Sequence, residues 1–176
     1  MIRSGLLPLV LLATTVVLPA AAEDFLPTPY TAEQIRDAWR EGRRVTMRME
    51  TPSGTTVTRT TVVGWSAEAA EVAEETLDAA GDPVGEPEVT TSRWTELRDH
   101  ARFPADRASR VRERRETPLG ELEGWLYRVE GGDGGVSEFF FADAYPGPPV
   151  VFGHTENGAS TFEAVQTENV PPASTR

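Results

Sequence analysis

The sequence predicts an α+β fold: an antiparallel, curved sheet of about seven or eight strands with one or two short helices. Three observations carry this expectation. β-branched and aromatic residues alternate with polar ones along much of the chain after residue 44. Gly/Pro/Asn clusters of hairpin length punctuate those runs. A helix-opening pattern, Thr31-Ala32-Glu33-Gln34, precedes them.

Residues 1–22 read as a secretory signal peptide. Arg3 supplies the positive start, Leu6 to Leu18 the apolar run, and Ala20-Ala21-Ala22 the small-residue cleavage site before Glu23-Asp24. The apolar run is short and no basic cluster follows it, which argues against an uncleaved anchor. The mature chain opens with an extended lead containing Pro27 and Pro29. Thr31 caps a helix expected over 32–41, whose Ile35 and Trp39 recur at helical spacing before Gly42.

A hairpin follows. Val45, Met47 and Met49 alternate with Thr46 and Arg48, Pro52-Ser53-Gly54 turns the chain, and Thr55 to Trp65 forms the return strand. Residues 66–88 are ambiguous between helix and strand, and the pattern favours an edge strand at 70–77 followed by a loop through Gly81-Asp82-Pro83 and Gly85-Glu86-Pro87. Ser92 is placed to cap a short helix at 93–101 carrying Trp94 and Leu97. The remainder reads as a meander with strands at 109–117, 121–130, 136–142, 149–154 and 160–168. Its strongest turn signal is Asn157-Gly158. Residues 23–170 are therefore expected to form one domain, with 171–176 as a flexible polar tail.

Composition excludes several function classes. With no cysteine there is no disulfide framework and no Cys-ligated zinc or iron–sulfur site. All 17 basic residues are arginine, so a lysine Schiff base, a P-loop lysine and a Ser–Lys dyad are absent. The net charge of −11 argues against nucleic acid and anionic membranes as partners. No stable membrane insertion is expected once the signal is removed, because no second apolar run is long enough to span a bilayer.

Catalytic signals are thin. His100 and His154 are the only histidines, on different elements, and no H-E-x-x-H pattern exists. The acids around Asp78 and Asp82 lack the spacing of a calcium loop. Asp99-His100 near Ser109 has the residue types of a triad, but neighbours on a helix point about 100° apart. The glycine run 131–135 has no helix after it and reads as a hairpin loop, not a dinucleotide site. No cofactor, metal or catalytic residue is assigned. A secreted carboxylate-dependent hydrolase remains the alternative class, with no acid pair to locate it.

Two features point to binding instead. Trp125 and Tyr127 share a strand face with Val129, while Phe139, Phe140 and Phe141 point to both faces of the next strand. This set is either sheet core or the lining of a cavity for an apolar ligand, with Trp125, Tyr127 and Phe140 as candidate contacts. Charge is also segregated. Residues 68–88 hold eight acids and no arginine, whereas 93–115 hold eight arginines and four acids. The two segments either pair with each other or present an interaction surface, for which Arg98, Arg102 and Arg107 are the candidates.

Thr31-Ala32-Glu33-Gln34-Ile35, the 45–65 hairpin, and the closing pattern Phe140-Phe141, Pro149-Val150-Val151, Asn157-Gly158 and Phe162 together resemble the half-barrel envelope carriers of the LolA and LppX type. The resemblance covers about half the chain, and the 78–90 loop and the arginine-rich 93–115 segment do not fit it. It implies an open sheet plugged by helices that holds acyl chains, and it transfers no ligand residue. The expectation is an exported, periplasmic or secreted, non-catalytic protein that binds a lipid-like molecule or an envelope protein.

Overall fold

The computed structural model describes residues 24–132 and 134–172. The signal peptide expected at 1–22 and the end of the expected tail, 173–176, lie outside the described residues.

Thr31 caps α1 (Ala32–Ala38) as its sequence dictates. Its hydroxyl accepts the Gln34 N–H at 3.2 Å, and the Gln34 side-chain oxygen accepts the Thr31 N–H at 2.8 Å. The strands are β1 (Arg44–Thr51), β2 (Gly54–Trp65), β3 (Ala69–Leu77), β4 (Glu88–Arg93), β5 (Ala108–Thr117), β6 (Gly120–Glu130), β7 (Val136–Ala142), β8 (Val151–Glu156) and β9 (Ala159–Val170). A second helix, α2 (Trp94–Asp99), follows β4 directly.

All nine strands join one antiparallel sheet in the order β4-β3-β2-β1-β9-β8-β7-β6-β5. It consists of two meanders, β1–β4 and β5–β9, joined where the first strand pairs with the last. Breaks in register at Thr46/Met47, Val62/Gly64 and His154/Thr155 mark where strands bend. At the β8–β9 turn Asn157 and Gly158 both have positive φ, 51° and 79°, the backbone of a type I′ turn.

The fold is thus predominantly β, not α+β, and it holds nine strands in place of seven or eight. Two local causes account for the difference. Glu88–Arg93 pairs with β3 as an edge strand, where the sequence suggested loop and helix cap. Ser92 caps nothing: the Arg93 N–H is taken by the Glu96 carboxylate at 3.0 Å, and Ser92 stays in the β4 ladder. The helices are also short, seven and six residues. Trp39 already leaves helical geometry, with ψ at 70°, and its indole N–H reaches the Pro146 carbonyl at 2.9 Å.

Two cores lie on opposite faces of the sheet. The inner face, beneath the helices and the lead, carries Val45, Val62, Ala70, Tyr127 and Phe141, packed by Tyr30, Ile35, Trp39, Trp94 and Phe103. The outer face carries a smaller core of Leu126, Phe140, Ala142 and Val150. Indole N–H groups fix the helices to backbone: Trp65 donates to Arg36 at 3.2 Å and Trp94 to Ser66 at 3.1 Å. Arg43, only 7% exposed, donates to the Ala38 carbonyl and to the Asn169 side-chain oxygen, each at 2.7 Å. It ties the end of α1 to β9.

Candidate functional site

The extended lead is held across the inner face by hydrogen bonds at each end. Leu26 N–H donates to Phe103 at 2.9 Å and Ala105 N–H to Asp24 at 2.8 Å. Tyr127 donates its hydroxyl to the Pro27 carbonyl and Tyr30 to the Ala142 carbonyl, both at 2.6 Å. Burial pushes both phenols above their ordinary range, and the Asp143 charge adds to the effect at Tyr30. They therefore remain protonated donors at all physiological pH.

Lead, α1 and α2 do not fill the inner face. A cavity of about 490 Å³ remains between them and the sheet. Tyr30, Ile35 and Trp39 form one wall, Leu97, Ala101 and Phe103 another. Phe139, Phe141 and Phe152 form the floor, and Pro148-Pro149 closes an end. Polar groups are few: Thr60, Arg98 and His100. Arg98 is bound to Asp99 at 2.7 Å, and His100 is an exposed residue ending α2. The volume falls within the ordinary range of small-molecule sites, about 300–1,000 Å³, and the lining is of the apolar kind such sites have.

Gly147 shapes the cavity's end. Its φ of +141° favours glycine, and a Cβ there would run into the Trp39 indole. Only glycine lets the 146–149 corner close against Trp39 while Pro146 accepts the indole N–H.

The aromatic floor continues as a chain of ring contacts. Phe103 stacks on Phe139 at 4.9 Å between centroids, Phe139 on Phe152 at 6.3 Å, and Phe152 meets Phe162 edge-on at 5.7 Å. Beyond it His154 lies parallel to Phe162 at 6.4 Å, and its Nδ1 is 2.9 Å from the Ser137 hydroxyl. Among the described residues no group of three or more His, Asp and Glu is placed to hold a metal ion.

The candidate residues read from sequence go to different places. Trp125 and Tyr127 lie on the inner face, beside the cavity but not lining it. Two guanidinium groups from β5 lie over the Trp125 ring, Arg110 at 4.3 Å and Arg112 at 5.0 Å from its centre. Phe140 points the other way, fully buried in the outer core. Its neighbours Phe139 and Phe141 face the cavity instead. The triplet itself signalled two faces, but only the strand register tells which member faces the helices.

Arg98, Arg102 and Arg107 form no common cluster of contacts. Arg98 stands at the cavity with Asp99, and Arg102 covers the Phe25 ring at 4.2 Å. The Arg107 backbone bonds to Glu130 and Pro104. Nor do the two charged segments pair with each other. Arginines of 93–115 bind Asp99, Asp143, Glu113, Glu121, Glu123 and Glu138. Of the acids in 68–88, Glu75 alone forms an ion pair among the described residues, with Arg59.

No protein-family model and no curated protein sequence matches the chain. Among solved structures it is similar to the crystal structure of MucB, at 12% identity and a TM-score of 0.54 over 82% of this chain and 58% of that one. It is similarly close to the complex structure of Pseudomonas aeruginosa MucA/MucB, at 13% identity and a TM-score of 0.53 over 81% of this chain and 57% of that one. The chain spans less than two thirds of the length of either. At this identity the likeness is one of fold. Both structures are of MucB, and neither is a carrier of the LolA or LppX type.

Proposed function

We propose that this chain is an exported, non-catalytic envelope protein that acts by binding, and that the inner-face cavity holds the apolar part of its ligand. The cavity itself carries this reading. It is large enough for a small molecule and is walled almost wholly by aliphatic and aromatic groups. Its cationic and imidazole groups, Arg98 and His100, lie at α2, with the Thr60 hydroxyl on β2, so a lipid-like molecule would bury its chain and keep its charged end toward α2. Residues 23–170 form the binding domain, and residues 1–22 direct it out of the cytoplasm.

Native mass spectrometry of the chain from its own type of cell tests the reading, together with the emission of Trp39 on titration with palmitate. A bound mass released on denaturation is expected, with an indole emission response that Leu97→Phe weakens by narrowing the cavity. An empty protein whose emission ignores palmitate overturns it. The same spectrum tests export: the mature mass should begin at Glu23.

A second reading is favoured by the likeness to MucB, which has been solved in complex with MucA. Here the chain docks a protein partner. Co-purification of a stoichiometric protein that survives delipidation supports it, and loss of that protein with the lipid counts against it.

A further inference from the structure

The sheet has two free edges, and they are built in opposite ways. The β5 edge runs ten residues as Ala-Ser-Arg-Val-Arg-Glu-Arg-Arg-Glu-Thr. Charges of this density are the usual protection of an edge strand. They are also engaged: Arg112 holds Asp143 in a bidentate pair at 2.9 and 2.6 Å, Arg114 binds Glu121 and Glu123, and Arg110 reaches the Pro27 carbonyl of the lead.

The β4 edge lacks these devices. It pairs with β3 on one side, and among the described residues nothing pairs with its other side. Between its terminal Glu88 and Arg93 it reads Val-Thr-Thr-Ser, uncharged, β-branched and free of proline. Val89 is 58% exposed, and Val84, just before the strand, is 58% exposed as well. The Val84 N–H bonds to Thr76 at 2.8 Å, so this stretch continues the same side of the sheet. Around it lie Glu71, Glu74, Asp78, Asp82, Glu86 and Glu88, none in an ion pair among the described residues.

We propose that β4 is a docking strand for a positively charged, extended segment of another protein, which adds to the sheet as a tenth strand. Backbone N–H and C=O groups of β4 would supply the pairing, Val84 and Val89 the apolar contacts, and the surrounding carboxylates the choice of partner. The carboxylates also speak against a second copy of this chain across the same edge. Two β4 strands would bring two acidic surrounds together. This inference names the partner chemistry for the second reading above and stands whether or not the cavity holds a lipid.

Amide hydrogen exchange on the full chain tests it, with two synthetic probes: a short peptide of alternating valine and arginine, and its valine–glutamate counterpart. The arginine peptide should slow exchange across 88–93 and bind at least about tenfold more tightly than the glutamate peptide, with the difference shrinking as salt rises. Val89→Lys should remove the protection while leaving the unfolding midpoint unchanged, since its side chain is exposed. Equal binding of both peptides overturns the proposal, as does protection that falls on β5 or on the cavity walls. A dimer present before peptide is added, and dissolved by Val89→Lys, also overturns it by giving the edge to a second copy. Palmitate should leave exchange at 88–93 unchanged, which separates failure here from failure of the cavity reading.

Discussion

Along the inner face, the β5–β9 meander presents the rings of Trp125, Tyr127, Phe139, Phe141, Phe152 and Phe162, whereas the β1–β4 meander presents smaller aliphatic groups, with Val45, Val62 and Ala70 in the core, beside the polar Thr56, Thr58, Thr60, Glu74 and Thr90. The first also has a core on its outer face, and the second does not. One sheet therefore contains a half with a core on both faces and a half with a core on its inner face alone. The difference teaches where to look for each property. Stability concentrates around β6 and β7, and surface available to partners concentrates at β3 and β4.

The sharpest way to break this comparison is to hollow out the strong half. Phe140→Ala should cost about 3–5 kcal/mol in denaturant unfolding, because the ring is fully buried between β6, β8 and the 143–150 loop. Thr90→Ala, at an exposed position of the edge strand β4, should cost about 0.5 kcal/mol or less in the same assay. Similar costs at the two positions would mean that β4 is packed as tightly as the outer core.

The next effect is smaller and local. Gly147→Ala forces a left-handed backbone position onto a residue with a Cβ and pushes that Cβ into the Trp39 indole. A loss of about 1–3 kcal/mol is expected, with a shift in Trp39 emission as the Pro146 hydrogen bond breaks. Smaller again, Tyr30→Phe removes one buried hydroxyl bond to Ala142 and should cost about 1 kcal/mol while leaving the lead in place.

Most of the strand pattern was legible because period-two alternation and turn residues agree along the chain. Asn157-Gly158 specified its own turn, and Thr31 with Gln34 specified its own cap. The failures have a common cause. The status of β4 depends on β3 offering it a partner, and a Val-Thr-Thr-Ser segment beside two proline–glycine loops carries no periodicity long enough to announce this. In the same way, Phe139, Phe140 and Phe141 are equivalent until the neighbouring strands fix the face. The 146–149 corner and Trp39 meet across more than a hundred residues, so no local signal marks them as cavity walls.

The smallest effect concerns an exposed pair on the protected edge. Arg112 holds the Asp143 carboxyl below its usual range, chiefly by hydrogen bonding. A carboxyl lowered by folding contributes stability that is complete above its unfolded value, about 3.9, and lost as pH falls through the folded value. Both side chains are about half exposed, so solvent discounts the gain. Asp143→Asn should therefore lower the urea midpoint slightly at neutral pH and not at all once both forms are neutral, near pH 2. A difference that persists at the acid end would show that the pair matters for shape and not for charge.

The pairing of β1 with β9 also sets how the molecule must be assembled. Thr46 reaches Glu168 across 122 positions of sequence, and Arg43 reaches Asn169 across 126. Each meander can zip from local hairpins, but the middle of the sheet closes only when the last strand has been made. Contacts of such separation are slow to form, and until then β1 waits with a bare edge of alternating valine and methionine. The point of greatest kinetic exposure is therefore at the centre of the finished sheet, and a chain stopped before Ala159 would leave that seam permanently open.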